Sequence, residues 1–244
     1  VLEMLGFRPV ARHRSREVLL YRQGDMNIVV NAHRDTAAAG ERGGWAGQGP
    51  AQGEAPPQPL LSALALRVRD AAAARARVVG LGGWEVPAQA ATMELHIPGI
   101  HGVGASRIYF VDRHREFSIY DVDFIPVPGV DPRPPALAGM RWFGVVQYIG
   151  RGREDDWCAF YTSLFGFRVL EPGERFGILP RGVILASPCG SFWLQLIEPA
   201  AGEPDGDETL QRVAFGTPDV LGAVALLRER GVGFVETPDV HSGA

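Results

Sequence analysis

Apolar and polar positions along the chain form short alternating runs broken by stretches of helical spacing, and the same order of runs occurs twice. Ser62–Arg69 alternates as a strand, Asp70 opens a helix over Asp70–Val79, and Gly82 follows. Leu210–Pro238 repeats this: an apolar strand, Asp219, Ala, Leu and Arg at helical spacing, then Gly231. An Asp ahead of an apolar helix accepts from its free amides, and a Gly after it takes the left-handed turn, so the two copies share punctuation as well as letters. Leu5-Gly6-Phe7 leads from a helix end into a strand, as Phe165-Gly166-Phe167 does after a helix over Asp155–Leu164. Tyr21–Val30 and Ser187–Ile197 each read as a turn around a Gly followed by an apolar strand.

The pattern predicts an α+β fold of two tandem βαβββ modules, both incomplete at the chain ends. The first spans 1–127 without its first strand and carries a flexible Ala/Gly/Gln/Pro loop over about 35–59. A Pro-rich linker occupies 128–139, and the second module spans 140–244, ending before its last strand. Within the first module, Val18–Tyr21 and Asn27–Val30 predict a hairpin around Gln23-Gly24-Asp25. Gly99, Gly102 and Gly104 predict a loop, Ser106–Val111 a buried strand, and the alternation over Phe117–Phe124 another strand. Trp142–Ile149 predicts the first strand of the second module.

Composition adds limits. The 244 residues are 46% hydrophobic, ample for a core, and the net charge of −4 gives no basic surplus for nucleic acid. Every basic residue other than histidine is Arg. Cys158 and Cys189 make no disulfide framework, which points to a reducing cytoplasm, and no apolar run is long enough to span a membrane.

Met93-Glu-Leu-His-Ile-Pro-Gly-Ile-His-Gly-Val-Gly104, then Ile108-Tyr-Phe-Val-Asp-Arg-His114, then Ser118-Ile-Tyr-Asp-Val-Asp-Phe124, with Tyr21-Arg22-Gln23-Gly24-Asp25 upstream, resemble the N-terminal half of bacterial 4-hydroxyphenylpyruvate dioxygenases, members of the vicinal oxygen chelate superfamily. Arg141–Pro238 resembles the second module more loosely. The resemblance implies Fe(II) held in the second module by two His and one Glu, a facial triad that leaves positions open for a 2-oxo acid and dioxygen. It further implies oxidative decarboxylation with ring hydroxylation in aromatic amino acid catabolism, and a small aromatic 2-oxo acid as the partner molecule.

The ligand positions are altered, however. The family's first His falls at Gly144, the second at Arg212 in Gln211-Arg212-Val213-Ala214-Phe215, and the Glu beyond Ala244. Arginine stays protonated and has no electron pair to offer iron. Of the histidines, His13, His33, His96, His101 and His114 lie in the first module and His241 near the end, with no pair at ligand spacing. Ser187 and Gln211 fall on substrate-facing family positions, and Arg212 has the chemistry to bind a carboxylate bidentately without metal. Two functions follow: an Fe(II) dioxygenase acting on a 2-oxo acid, or a metal-free binding or scaffolding module for a small anionic ligand. The resemblance also implies a larger polypeptide, since related modules occur fused behind 3-dehydroshikimate dehydratases. Extradiol cleavage and glyoxalase-like isomerisation need comparable ligands, so the same substitutions count against them. Open strand edges point to a homodimer.

Overall fold

The computed structural model describes residues 1–31, 60–87, 95–104, 106–114, 117–174 and 182–235. The expected loop over 35–59, His33 and His241 lie outside them.

The two capped helices form where the punctuation places them. α1 (Ala71–Gly80) follows β4 (Ala63–Arg67), with the Asp70 side chain accepting from Ala73 N–H at 2.8 Å. α3 (Val220–Glu229) follows β12 (Thr209–Gly216), with Asp219 accepting from Gly222 N–H at 2.9 Å. Gly82 and Gly231 take φ of +97° and +84°, the left-handed turn that a side chain disfavours. Between them lies α2 (Glu154–Phe165), closed by Gly166 at φ +70°: Phe167 N–H donates to Tyr161 and Gly166 N–H to Thr162.

The second module gives the repeat its clearest form. β8 (Arg141–Tyr148) runs parallel to β11 (Trp193–Ile197), then β10 (Val183–Ala186) and β9 (Arg168–Val169) follow antiparallel. Numbered within the motif, the order is 1-4-3-2, and β12 adds antiparallel to the free edge of β8. β4 repeats the arrangement in the first module: it runs parallel to β6 (Arg107–Val111), which pairs with β5 (Gly99–His101), and Glu85 bridges to Ile100. β1 (Arg8–His13), β2 (Val18–Gln23) and β3 (Met26–Asn31) form a meander whose β2–β3 turn is the expected Gly24-Asp25, and β7 (Phe124–Pro126) joins the free edge of β1.

Two expectations fail on local chemistry. Phe117–Phe124 does not form a strand: Tyr120–Asp123 is a single helical turn. Ser118 N–H donates to the Asp121 carboxylate at 2.6 Å and Tyr120 N–H to the Ser118 hydroxyl at 3.3 Å, so short polar side chains compete for the backbone. Gly99 lies inside β5 instead of a loop, pressed against Tyr109 of β6, where a Cβ would come within 2.8 Å of the ring.

Packing runs crosswise between the modules. Ala71, Val78, Ile100, Ile108 and Phe110 share one core with Tyr161, Leu164, Leu185 and Leu194. Phe7 and Met26 share a second with Trp142, Phe215 and Leu227. Arg230 on the far side of α3 donates to the Met4 and Glu3 carbonyls at 2.8 and 2.7 Å.

The Tyr21–Asp25 motif has a structural task. Gln23 is fully buried, its Nε2 donating to Leu5 C=O at 2.8 Å while its Oε1 accepts from Leu137 N–H at 2.9 Å. Gly24 N–H donates to Pro134 C=O and the Arg22 guanidinium to Pro132 C=O. The segment therefore pins the Pro-rich connection against the N-terminal sheet.

Candidate functional site

β8, β11, β10 and β12 bury one face against α2, through Val145, Leu194, Leu196, Leu185 and Val213. Side chains alternate across a strand, so Gly144, Val146 and Tyr148 of β8, Gln195 of β11 and Arg212 of β12 fall on the other face. Arg212 stands opposite Val146, two residues from Tyr148. Its guanidinium donates to the Tyr148 hydroxyl at 2.8 Å and lies 5.8 Å from the ring centroid. One of its five donors is thereby used, and a cation over an aromatic face is held without losing its charge. Arg212 is exposed.

Gly144 lies on the same face, four residues from Tyr148. A Cβ there would stand 2.4 Å from the Trp193 carbonyl oxygen of the neighbouring strand, so the backbone as folded admits no side chain. The residues present therefore do not fit iron in the family's manner: one ligand position has room for no imidazole, and the other bears a permanent cation. Among the described residues no three His, Cys, Asp or Glu side chains gather into a metal-sized group. His13 packs edge-on against Phe124, and His101 is a residue of β5.

Gln211 lies beside Arg212 on β12, its side chain bonded to Thr209 opposite Tyr148, whereas Ser187 sits elsewhere. Gln211 is the extra residue of a β-bulge between Leu210 and Arg212, and its Oε1 accepts from Thr209. Ser187 is in the β10–β11 turn, where its hydroxyl accepts from Phe192 N–H at 3.2 Å and touches the Cys189 thiol at 3.2 Å. β10 and β12 are separated by two intervening strands, so about 14 Å of sheet divides Ser187 from Arg212. Hydrogen bonds from Ser187 and Ser191 hold the Cys189 thiol below the usual thiol range. Tyr148 is the residue that sequence reasoning passed over; its four-residue spacing from Gly144 on one strand was the available signal.

Residues 1–125 match the family model described as "Hydroxyphenylpyruvate dioxygenase, HPPD, N-terminal", and residues 146–243 match "Glyoxalase/Bleomycin resistance protein/Dioxygenase superfamily". The chain is therefore a tandem-module member of the vicinal oxygen chelate superfamily. Within it, the chain belongs to the 4-hydroxyphenylpyruvate dioxygenase-like family. It is 34% identical to hemolysin VllY of Vibrio vulnificus over 97% of its own length and 66% of that protein. It is 31% identical to the 4-hydroxyphenylpyruvate dioxygenase of Pseudomonas aeruginosa over 99% of its own length and 67% of that enzyme. The chain thus spans about two thirds of the length of these relatives. Among solved structures, a xylose isomerase-like TIM barrel/4-hydroxyphenylpyruvate dioxygenase fusion protein superposes with a TM-score of 0.72 at 27% identity, over 95% of this chain and 35% of that one. No described helix is long and apolar enough to cross a membrane.

Proposed function

We propose that the chain acts as a binding module of the 4-hydroxyphenylpyruvate dioxygenase-like family, holding the carboxylate of a small aromatic 2-oxo acid through Arg212 instead of through iron. The observation that carries this reading is the Arg212–Tyr148 pair, a charged fork fixed over an aromatic ring on the face opposite α2. Four guanidinium donors remain for a bidentate carboxylate contact, and the ring gives an apolar neighbour for an aryl group. The likeness to a fusion protein supports placing the module inside a larger polypeptide, where it would bind or scaffold. Two unpaired cysteines accord with a cytoplasmic setting, and a homodimer through open strand edges completes the reading.

The names of the relatives favour a second reading, Fe(II)-dependent decarboxylation and hydroxylation of the same acid. Calorimetric titration with 4-hydroxyphenylpyruvate, on chelator-treated and on Fe(II)-supplemented protein, separates the two. The binding-module reading expects equal affinity in both preparations, no oxygen uptake, and a loss of about tenfold in Arg212→Gln, the size of a charged hydrogen bond. Stoichiometric iron with oxygen consumption would put the dioxygenase reading in its place.

A further inference from the structure

A pocket opens in the first module, with neither Arg212 nor Tyr148 in its lining. β4 and β6 run parallel and end together, the last rung being Val68 N–H donating to Val111 C=O at 2.9 Å. Beyond that rung the chains part, one into α1 and the other into the Asp112–His114 segment, leaving an open pocket of about 780 Å³. Arg67, Arg69 and Arg113 line it, with Val68 and Phe117 as its apolar side and Asp112 as its one carboxylate; His114 lies there too. The volume falls in the range of small-molecule sites, and the ends of parallel strands are where such sites form in open sheets.

Among the described residues the charges do not cancel. Asp112 accepts from Ala71 N–H at 3.0 Å and the adjacent Asp70 from Ala73 N–H at 2.8 Å, so both carboxylates are turned toward the free amides of α1. Arg67, also in the lining, donates to Asp25 C=O at 2.8 Å, which leaves most of its fork unused. The guanidinium groups of Arg69 and Arg113 make no hydrogen bond or ion pair with the described residues. Three guanidinium groups against one carboxylate leave the lining two charges positive with His114 neutral. Phe117, 56% exposed, offers a ring beside them.

We propose that this pocket binds a phosphate monoester carried on a flat apolar group. A monoester brings close to two negative charges and three acceptor oxygens at neutral pH, matching the lining in charge and in guanidinium geometry, and the flat group has Phe117 to stack on. A carboxylate would meet only half of the charge.

Titration of the purified protein with phenyl phosphate, adenosine monophosphate and inorganic phosphate, at low ionic strength, tests it. Phenyl phosphate or the nucleotide is expected to bind saturably and about tenfold or more tighter than inorganic phosphate. An aryl preference points to a simple aromatic ester, and a preference for adenosine monophosphate to a nucleotide. Arg69→Gln and Arg113→Gln are each expected to weaken binding about tenfold, with melting temperatures unchanged because both side chains are exposed. Arg212→Gln should leave this binding intact, which separates the pocket from the site in the second module. Inorganic phosphate binding as tightly as the esters, absence of saturable binding, or affinity indifferent to the two arginine substitutions would overturn the proposal.

Discussion

At the scale of single residues, side-chain oxygens do much of the positioning. Cys189 sits between two hydroxyls, Ser187 at 3.2 Å and Ser191 at 3.0 Å, and both hold its thiol below the ordinary range. Cys158 is shifted the other way, first by burial and then by Glu154 and Asp155. A depressed pKa means more thiolate at a given pH, so a disulfide reagent at pH 7 should label Cys189 well before Cys158. Replacing Ser187 and Ser191 by Ala should move the midpoint of the Cys189 pH–rate curve upward; an unchanged midpoint would show that the hydroxyls do not set it. Buried Gln147 accepts from the Tyr161 hydroxyl at 2.7 Å within the main core. Tyr161→Phe leaves that amide oxygen without its donor, and chemical denaturation should register a loss of about 1–3 kcal/mol.

Elements were legible in the sequence where their ends carry chemistry of their own. Asp70, Asp219, Gly82, Gly166 and Gly231 all do what their residue types dictate, because a cap or a left-handed turn is a local decision. Asp219→Ala should therefore cost about 1 kcal/mol in thermal or denaturant unfolding, with little change in the folded state. Ser118–Asp123 defeated the period-two reading because its side chains bond to their own backbone, a competition that alternation does not report. The site was legible only in part. The replacement at Arg212 was visible from the family pattern, but the closeness of Gly144 to the Trp193 carbonyl and the pairing of Arg212 with Tyr148 arise from strand register. The arginine pocket was hidden for the same reason: Arg69 and Arg113 lie far apart in sequence and meet because β4 and β6 end together.

For the whole molecule, the relevant feature is that the two clusters built around Phe110 and Phe7 each draw on both modules, while a smaller one around Val10, Ala11 and Leu20 stays with the first. Phe110 of β6 packs 6.2 Å from Phe165 of α2, and the Arg77 guanidinium of α1 donates to the Leu164 carbonyl. Phe7 lies 6.1 Å from Phe215. Phe110→Ala should cost about 3–5 kcal/mol and lower a single melting transition, whereas modules with private cores would show two. Crosswise packing also bears on how such a chain can be cut and inherited. A protease nick in the Pro-rich connection should leave two fragments that stay together and copurify, each supplying what the other lacks. Shuffling in evolution would then move the tandem pair as one cassette, since a lone copy would lose its partner's share of the two clusters that span both modules.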